Sequence, residues 1–160
     1  MIVKEIRDED FTSYKKPSMV IGFPSCTFKC ERECGQKMCQ NSALAQAPDI
    51  EIDVENIVDR YLKNPITKAI VMAGLEPLDS LPSLHYLIKE FRKHTDDDIV
   101  IYTGYTELEF LEYPYSLTYL QKFPNIIIKF GRFVPNETSH YDELLGVNLA
   151  SNNQYSRRIS

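Results

Sequence analysis

The sequence predicts an α/β protein, an open partial (βα) barrel with a mainly parallel curved sheet. Short apolar runs with strand character alternate with amphipathic helical patterns, and the connections between them are short. Such alternation is typical of right-handed βαβ units, whose strands lie parallel. A chain of 160 residues is too short for a closed barrel of eight strands and eight helices. We therefore expect an open barrel, formed as a single domain over residues 1–160.

Four apolar runs predict the strands of this sheet. Continuous apolar runs are expected where both faces of a strand are buried, as they are in parallel sheets. The predicted strands are residues 17–23, 69–73, 99–102 and 125–129, with a short edge strand within residues 2–6. Pro24 ends the first of the four, because proline has no N–H group to donate to a neighbouring strand.

Helical patterns lie between these strands. Asp53, a suitable N-cap, precedes a helix that ends at Asn64-Pro65, and its predicted apolar face is Val54, Ile57, Val58, Tyr61 and Leu62. A second helix carries Leu81, Leu84, Leu87, Ile88 and Phe91, and a weaker pattern is broken by Pro114 and continues with Leu117 and Leu120. Three segments show no clear periodicity and are predicted to be turns or loops: residues 8–16, residues 41–52 and the tail from Pro135.

Charge and composition argue against several classes of function. The net charge of −5 and the pI near 5.2 disfavour a nucleic-acid or anionic-membrane surface. The sequence has no run of about 18 apolar residues, which a membrane span needs, and no apolar N-terminal segment typical of a signal peptide. We therefore expect a cytoplasmic protein without nucleic-acid or membrane partners. In that compartment clustered cysteines stay reduced and bind metal more often than they form disulfides.

All four cysteines lie in one segment that follows the first strand. Cys26, Cys30, Cys34 and Cys39 have the spacing C-x3-C-x3-C-x4-C. Soft thiolates select zinc or iron–sulfur clusters. Structural zinc sites commonly use two close pairs of ligands separated by a longer loop, and this segment has no such separator. A zinc-stabilised four-cysteine interaction module without catalysis remains an alternative to an iron–sulfur site.

Other polar or glycine-containing segments also follow predicted strand ends. They are Gly74–Pro77, Thr103-Gly104 and Gly131. Ligands of parallel sheets bind beyond the carboxyl ends of the strands. We therefore expect these segments and the cysteine segment to converge on one rim of the sheet.

The cysteine segment resembles that of radical S-adenosylmethionine enzymes, and more closely that of the small activating proteins of anaerobic (class III) ribonucleotide reductases. Those proteins carry C-x3-C-x2-C, with a hydrophobic residue before the third cysteine and often an asparagine two places after it. Cys26-x3-Cys30 matches the first pair, and Met38-Cys39-Gln40-Asn41 matches the third cysteine with its flanks. Eight residues separate Cys30 from Cys39, where the family has two, so Cys34 lies in an apparent six-residue insertion.

The resemblance continues along the chain in the same order, over about residues 17–155. Gly74-Leu75-Glu76-Pro77 is similar to the family's Gly-Gly-Glu-Pro turn, with Leu75 in place of the second glycine. Three further segments resemble family motifs: Tyr102-Thr103-Gly104-Tyr105, Lys129-Phe130-Gly131-Arg132-Phe133 and Ser151-Asn152-Asn153-Gln154.

The resemblance implies an activating enzyme with a 4Fe–4S cluster and S-adenosylmethionine. The implied cluster ligands are Cys26, Cys30 and Cys39, with Cys34 free. The implied cofactor-binding residues are Met38, Gly74, Glu76, Pro77, Thr103 and Gly104. Reductive cleavage of S-adenosylmethionine would give a 5′-deoxyadenosyl radical, which installs a glycyl radical on a partner. The implied partner is the large subunit of anaerobic ribonucleotide reductase, or a different glycyl radical enzyme, and the electron donor is a protein such as flavodoxin or ferredoxin.

Overall fold

The fold is built around one six-stranded sheet that is parallel at its centre and antiparallel at both edges. The structure is a computed structural model, and it describes residues 1–112 and 114–160. The strands are β1 (Ile2–Val3), β2 (Glu5–Asp10), β3 (Ser18–Phe23), β4 (Ile50–Glu51), β5 (Ala69–Gly74), β6 (Asp98–Tyr102), β7 (Ile126–Phe130), β8 (His140–Asp142), β9 (Val147–Leu149) and β10 (Tyr155–Arg158). The helices are α1 (Lys29–Cys34), α2 (Ser42–Gln46), α3 (Val54–Lys63), α4 (Leu81–Phe91), α5 (Glu107–Leu111) and α6 (Pro114–Leu120), and a 3-10 turn spans Pro77–Ser80.

The centre of the sheet is parallel, as the apolar runs predict. β3 pairs with β5, β5 with β6, and β6 with β7, all in the parallel direction. One face of these strands packs against the helices through Ile21, Met72, Ile101 and other buried residues. The opposite face contributes Val20, Val71, Val100 and Ile127 to a second buried cluster. Both faces are therefore apolar, which explains why the strand sequences lack the alternation of a half-exposed strand.

Antiparallel strands flank the parallel centre on both sides. β2 pairs with β3, and β10 pairs with β7 so that Tyr155 lies opposite Phe130. The predictions of a loop from Pro135 onward and of a turn over residues 8–16 are therefore wrong in part. The tail contains β8, β9 and β10, and residues 8–10 continue β2. The prediction of irregular structure over residues 41–52 also misses α2 and β4.

The two strong helical patterns correspond to α3 and α4. Val54, Ile57, Val58 and Tyr61 are buried on the inner face of α3. Leu62 was predicted on this face but is 45% exposed, because it lies at the edge of the apolar stripe. Asp53 occupies the N-cap position, yet its side chain makes no capping hydrogen bond. The weaker pattern corresponds to two short helices, α5 and α6, of which α6 begins at Pro114.

The β8–β9 hairpin covers the second face of the sheet towards the amino ends of its parallel strands. There Leu145 and Leu149, from the β8–β9 hairpin, pack with Tyr14 against Val20 and Val71. Towards the carboxyl ends of the strands a cavity remains, and it holds the candidate site. The mixed α/β class with a mostly parallel sheet is confirmed, and a curved partial barrel stays a prediction. In residues 1–112 and 114–160, no helix is long and apolar enough to cross a membrane.

Candidate metal centre

A cavity of about 330 Å³ lies at the carboxyl ends of the parallel strands. The cysteine segment, the turn after β5, the turn after β6 and the segment after β7 all contribute to its lining. Eight of the nine predicted site residues line it: Cys26, Cys30, Met38, Cys39, Gly74, Glu76, Thr103 and Gly104. The ninth, Pro77, is buried in the 3-10 turn behind this wall. Residues far apart in sequence thus meet here because parallel strands end at the same edge.

Three of the four cysteines share this cavity. Cys26, Cys30 and Cys39 line it and are partly buried, whereas Cys34 is exposed and lies outside its lining. Burial raises the pKa of Cys26 to about 11, and the carboxylates of Glu76 and Asp79 add to the effect. Burial also raises the pKa of Cys30, with a smaller contribution from Cys39. These thiols are held in the protonated form, so a bound metal must displace their protons.

Helix α1 places Cys30, and the chain then folds back to place Cys39. The helix ends at Cys34 and is capped by Gly35, whose left-handed conformation (φ 67°) lets its N–H group donate to the carbonyl oxygen of Glu31 at 2.9 Å. The side-chain Oε1 of Glu31 accepts hydrogen bonds from the N–H groups of Met38 at 3.2 Å and Cys39 at 3.1 Å. Glu31 thereby closes the loop that separates Cys30 from Cys39.

Charged side chains attach α1 to the rest of the protein. Arg132, in the segment after β7, donates two hydrogen bonds to the carboxylate of Glu33, at 2.8 and 3.0 Å. It donates two more to Glu109 of α5, at 2.8 and 2.7 Å, and one to the carbonyl oxygen of Gly104. Lys29 of α1 also forms an ion pair with Glu109. Arg132 therefore connects three segments that surround the cavity.

The last residue of β5, where the chain enters the following turn, must be glycine. Gly74 has φ 96°, and a side chain there would place its Cβ 2.5 Å from the backbone nitrogen of Phe23. Neither the conformation nor the space tolerates another residue. The carbonyl oxygen of Gly74 accepts a hydrogen bond of 2.7 Å from the side-chain amide of Asn41. Asn41 thus links the end of the cysteine segment to the turn.

Glu76 connects the turns after β5 and β6. Its Oε1 accepts hydrogen bonds from the Thr103 hydroxyl at 2.8 Å and from the N–H group of Leu78 at 3.1 Å, and its Oε2 accepts one from the N–H group of Gly104 at 2.8 Å. The residue is only 4% exposed. Burial raises the pKa of Glu76 to about 7, against the opposing effect of these donors. Glu76 is therefore a buried structural connection within the wall of the cavity.

Two further residues contribute to the site although neither was among the predicted site residues. Lys129 lies in the cavity lining and is 6% exposed, and its Nζ donates to the carbonyl oxygen of Gly131 at 2.6 Å. Burial lowers the pKa of Lys129 to about 8, although the nearby Glu76 opposes this. The sequence signal that could have identified Lys129 is a charged residue within an otherwise apolar strand. Asp79 was missed as well: it accepts hydrogen bonds from the Thr27 N–H group and the Tyr105 hydroxyl, and so joins the cysteine segment to the turns.

The donor set fits an iron–sulfur cluster. Within the part of the chain that the structure describes, no group of three or more His, Cys, Asp or Glu side chains is arranged to hold a single metal ion. A cluster makes a different demand, because each cysteine thiolate binds a different iron atom. Three thiols around one cavity supply soft ligands without having to converge on one ion.

The comparison with known families decides the class of site. The model of the 4Fe-4S single cluster domain matches residues 19–155. The chain belongs to the 4Fe-4S single cluster domain family. This supports an iron–sulfur protein and a 4Fe–4S cluster as its metal centre. No curated protein and no solved structure matched the chain. All four cysteines fall within the part of the chain that matches the 4Fe-4S single cluster domain.

Proposed function

We propose that this protein is a radical S-adenosylmethionine activating enzyme that installs a glycyl radical on a partner enzyme. One observation carries the proposal: Cys26, Cys30 and Cys39 share a single cavity with the turns Gly74–Glu76 and Thr103-Gly104. A protein that needed its cluster only for stability would have no use for a cavity beside it. The cavity offers space for a ligand next to the three thiols.

The three cysteines that line the cavity would hold the cluster. Three thiolates would leave one iron of a 4Fe–4S cluster without a protein ligand, and that iron would be available to S-adenosylmethionine. A reduced cluster would supply the electron that cleaves this cofactor into methionine and a 5′-deoxyadenosyl radical, which then removes a hydrogen atom from a glycine of the partner. Cys34 is exposed and outside the cavity lining, which supports three ligands rather than four.

The remaining lining residues would orient the cofactor. Gly74 would contribute through the shape of the turn, because its positive φ and its close approach to the backbone of Phe23 tolerate no side chain. Glu76 fixes the relative positions of the two turns through its three hydrogen bonds. Met38 would add apolar contact beside the cluster. Correct placement is the main contribution that a protein makes when the cofactor carries the chemistry.

The partner is proposed from the resemblance of the motifs to class III ribonucleotide reductase activating proteins. The large subunit of an anaerobic ribonucleotide reductase is the first candidate, and other glycyl radical enzymes are the alternatives. A flavodoxin or a ferredoxin would supply the electron. The exposed cysteine segment beside the cavity supports this function, since a loop of the partner must reach the site.

Anaerobic reconstitution tests the proposal. The purified chain is loaded with iron and sulfide, reduced with dithionite and mixed with S-adenosylmethionine, and 5′-deoxyadenosine is quantified against a sample without reductant. We expect about four iron atoms per chain and reductant-dependent product. A colourless protein that binds one zinc per chain would favour the structural zinc module. A loaded cluster without 5′-deoxyadenosine would refute the radical function, and EPR of a mixture with a candidate partner would then detect no glycyl radical.

A further inference from the structure

No residue between Cys30 and Cys39 is fully buried, and Met38 is the half-buried apolar residue among them. Helix α1 contains no buried residue, and Gly35, Gln36 and Lys37 are exposed. Hydrophobic packing therefore contributes little to the position of Cys39. An eight-residue separation also costs more conformational entropy to close than a short one. Some polar interaction must hold Cys39 beside Cys30.

Glu31 makes that interaction. Its Oε1 accepts from the N–H groups of Met38 and Cys39, the two residues at which the chain returns to the cavity. Cys30, Met38 and Cys39 line the cavity, whereas Glu31 does not. Its carboxylate is within hydrogen-bonding distance of the backbone of Met38 and Cys39 but is not part of the cavity lining. Glu31 is adjacent to Cys30 in sequence, so one residue binds the two ends of the loop together.

We propose that Glu31 is a positioning residue for the iron–sulfur cluster: it holds Cys39 in place across the long spacing, and its negative charge makes the cluster harder to reduce. This rests on the proposed ligation of the cluster by Cys26, Cys30 and Cys39, and it requires no assumption about S-adenosylmethionine. It also assigns a function to the lengthened segment between Cys30 and Cys39, whose residues 31–34 belong to the helix that carries the carboxylate.

The effect on reduction follows from electrostatics. The reduction potential of a cluster depends on nearby charge and on hydrogen bonds donated to its sulfur atoms. A carboxylate beside Cys39 opposes the extra electron of the reduced state. The same carboxylate accepts hydrogen bonds from the N–H groups of Met38 and Cys39. These two N–H groups therefore do not donate hydrogen bonds to the sulfur atoms of the cluster. Both effects lower the potential.

Three variants separate position from charge. Glu31→Gln keeps an acceptor oxygen but removes the charge, so it should bind as much iron as the unmodified protein and have a more positive midpoint potential. Glu31→Ala removes the acceptor, so iron per chain should fall severalfold under limiting iron and sulfide. Glu33→Gln is the matched control, because it removes the same charge from the same helix without touching Met38 or Cys39. It should bind iron normally and shift the potential less than Glu31→Gln.

Iron content and the midpoint potential from an EPR-monitored redox titration are the readouts, and both are independent of catalysis. Equal iron in Glu31→Ala and an unchanged potential in Glu31→Gln would overturn the inference. An equally large shift of the midpoint potential in Glu33→Gln and Glu31→Gln would also overturn the inference, since the shift would then reflect net charge alone. If the unmodified protein binds no cluster, this inference and the proposed function both fail. If it binds a cluster but does not cleave S-adenosylmethionine, only the proposed function fails.

Discussion

The strand-end turns and the cysteine segment both line one cavity, but they are held in different ways. The turns after β5 and β6 meet at Glu76, which is 4% exposed and accepts three hydrogen bonds. The cysteine segment, residues 25–41, depends instead on partly exposed polar contacts. Its helix α1 has no buried residue and is attached by ion pairs to Arg132 and Glu109.

This difference indicates that folding of the cluster-free chain orders the turns after β5 and β6 but not the cysteine segment. Buried hydrogen bonds are costly to break, because their groups would be left without partners. Partly exposed ion pairs contribute little, typically below about 1 kcal/mol each. Regions held only by such contacts open locally at low free-energy cost. We therefore expect the turns to be formed before the metal binds and the cysteine segment to be ordered largely by the cluster.

The largest effect is expected from the cysteines. Cys39→Ser should abolish the cluster and its visible absorption, because a ligand that lines the cavity is lost. Cys34→Ser is the control and should retain both, since Cys34 is exposed and outside the cavity lining. Iron content and EPR after anaerobic reconstitution measure the outcome. If Cys34→Ser loses the cluster and Cys39→Ser keeps it, the proposed ligand set is wrong. If both variants lose it, four cysteines bind the metal.

The next largest effect is expected at Glu76, in the buried turns after β5 and β6. Glu76→Ala should leave the cluster intact and reduce cofactor cleavage about a hundredfold, because the turns after β5 and β6 lose the carboxylate that joins them. The rate of 5′-deoxyadenosine formation is the measurement, with iron content determined on the same sample. Glu112→Ala, which removes an exposed carboxylate, is the control. An unchanged rate in Glu76→Ala would remove Glu76 from the site.

The buried carboxyl group of Glu76 should also make the free energy of unfolding depend on pH. Burial raises the pKa of Glu76 from 4.5 to about 7, so the folded state binds this proton more tightly than the unfolded state. The resulting stabilisation is complete below the unfolded pKa and is lost as the pH rises to about 7. At about 1.4 kcal/mol per pKa unit, the free energy of unfolding should fall by roughly 3 kcal/mol over this interval.

Glu76→Gln should lack this dependence, because an amide does not titrate. Urea unfolding of the cluster-free protein at several pH values between 4.5 and 7 measures it, with Glu112→Gln as the exposed control. Identical pH profiles for Glu76→Gln and the unmodified protein would show that the buried carboxylate does not carry the effect.

The smallest effect concerns the attachment of α1. Arg132→Ala removes the ion pairs with Glu33 and Glu109, so α1 should detach more often in the cluster-free protein. Trypsin cleavage after Arg32 or Lys37 should become severalfold faster, and loading with the cluster should restore protection. Arg158→Ala, which breaks an ion pair with Asp98 at the other end of β6, should leave this cleavage unchanged. Equal rates in the two variants would mean that Arg132 does not attach the segment.

The sequence predictions were accurate for buried elements and poor for elements whose side chains are exposed. The parallel strands β3, β5, β6 and β7 were predictable, because burial on both faces requires continuous apolar runs. β10 was not, since Tyr155-Ser156-Arg157-Arg158 is polar and belongs to the sheet through its backbone pairing with β7. Helix α1 was missed for a related reason: it buries no residue and has no apolar stripe. Elements with exposed side chains leave little signal in the sequence.

The sequence by itself determined the α/β class, the order of the parallel strands along the chain and the cysteines that a metal could use. These follow from local patterns, namely apolar periodicity, strand-ending residues and cysteine spacing. Only the tertiary structure decided that Cys34 lies away from the cavity, that Glu76 joins two turns and that Glu31 holds Cys39. Such contacts depend on the direction of individual side chains after the chain has folded, and residue type and spacing do not specify that direction.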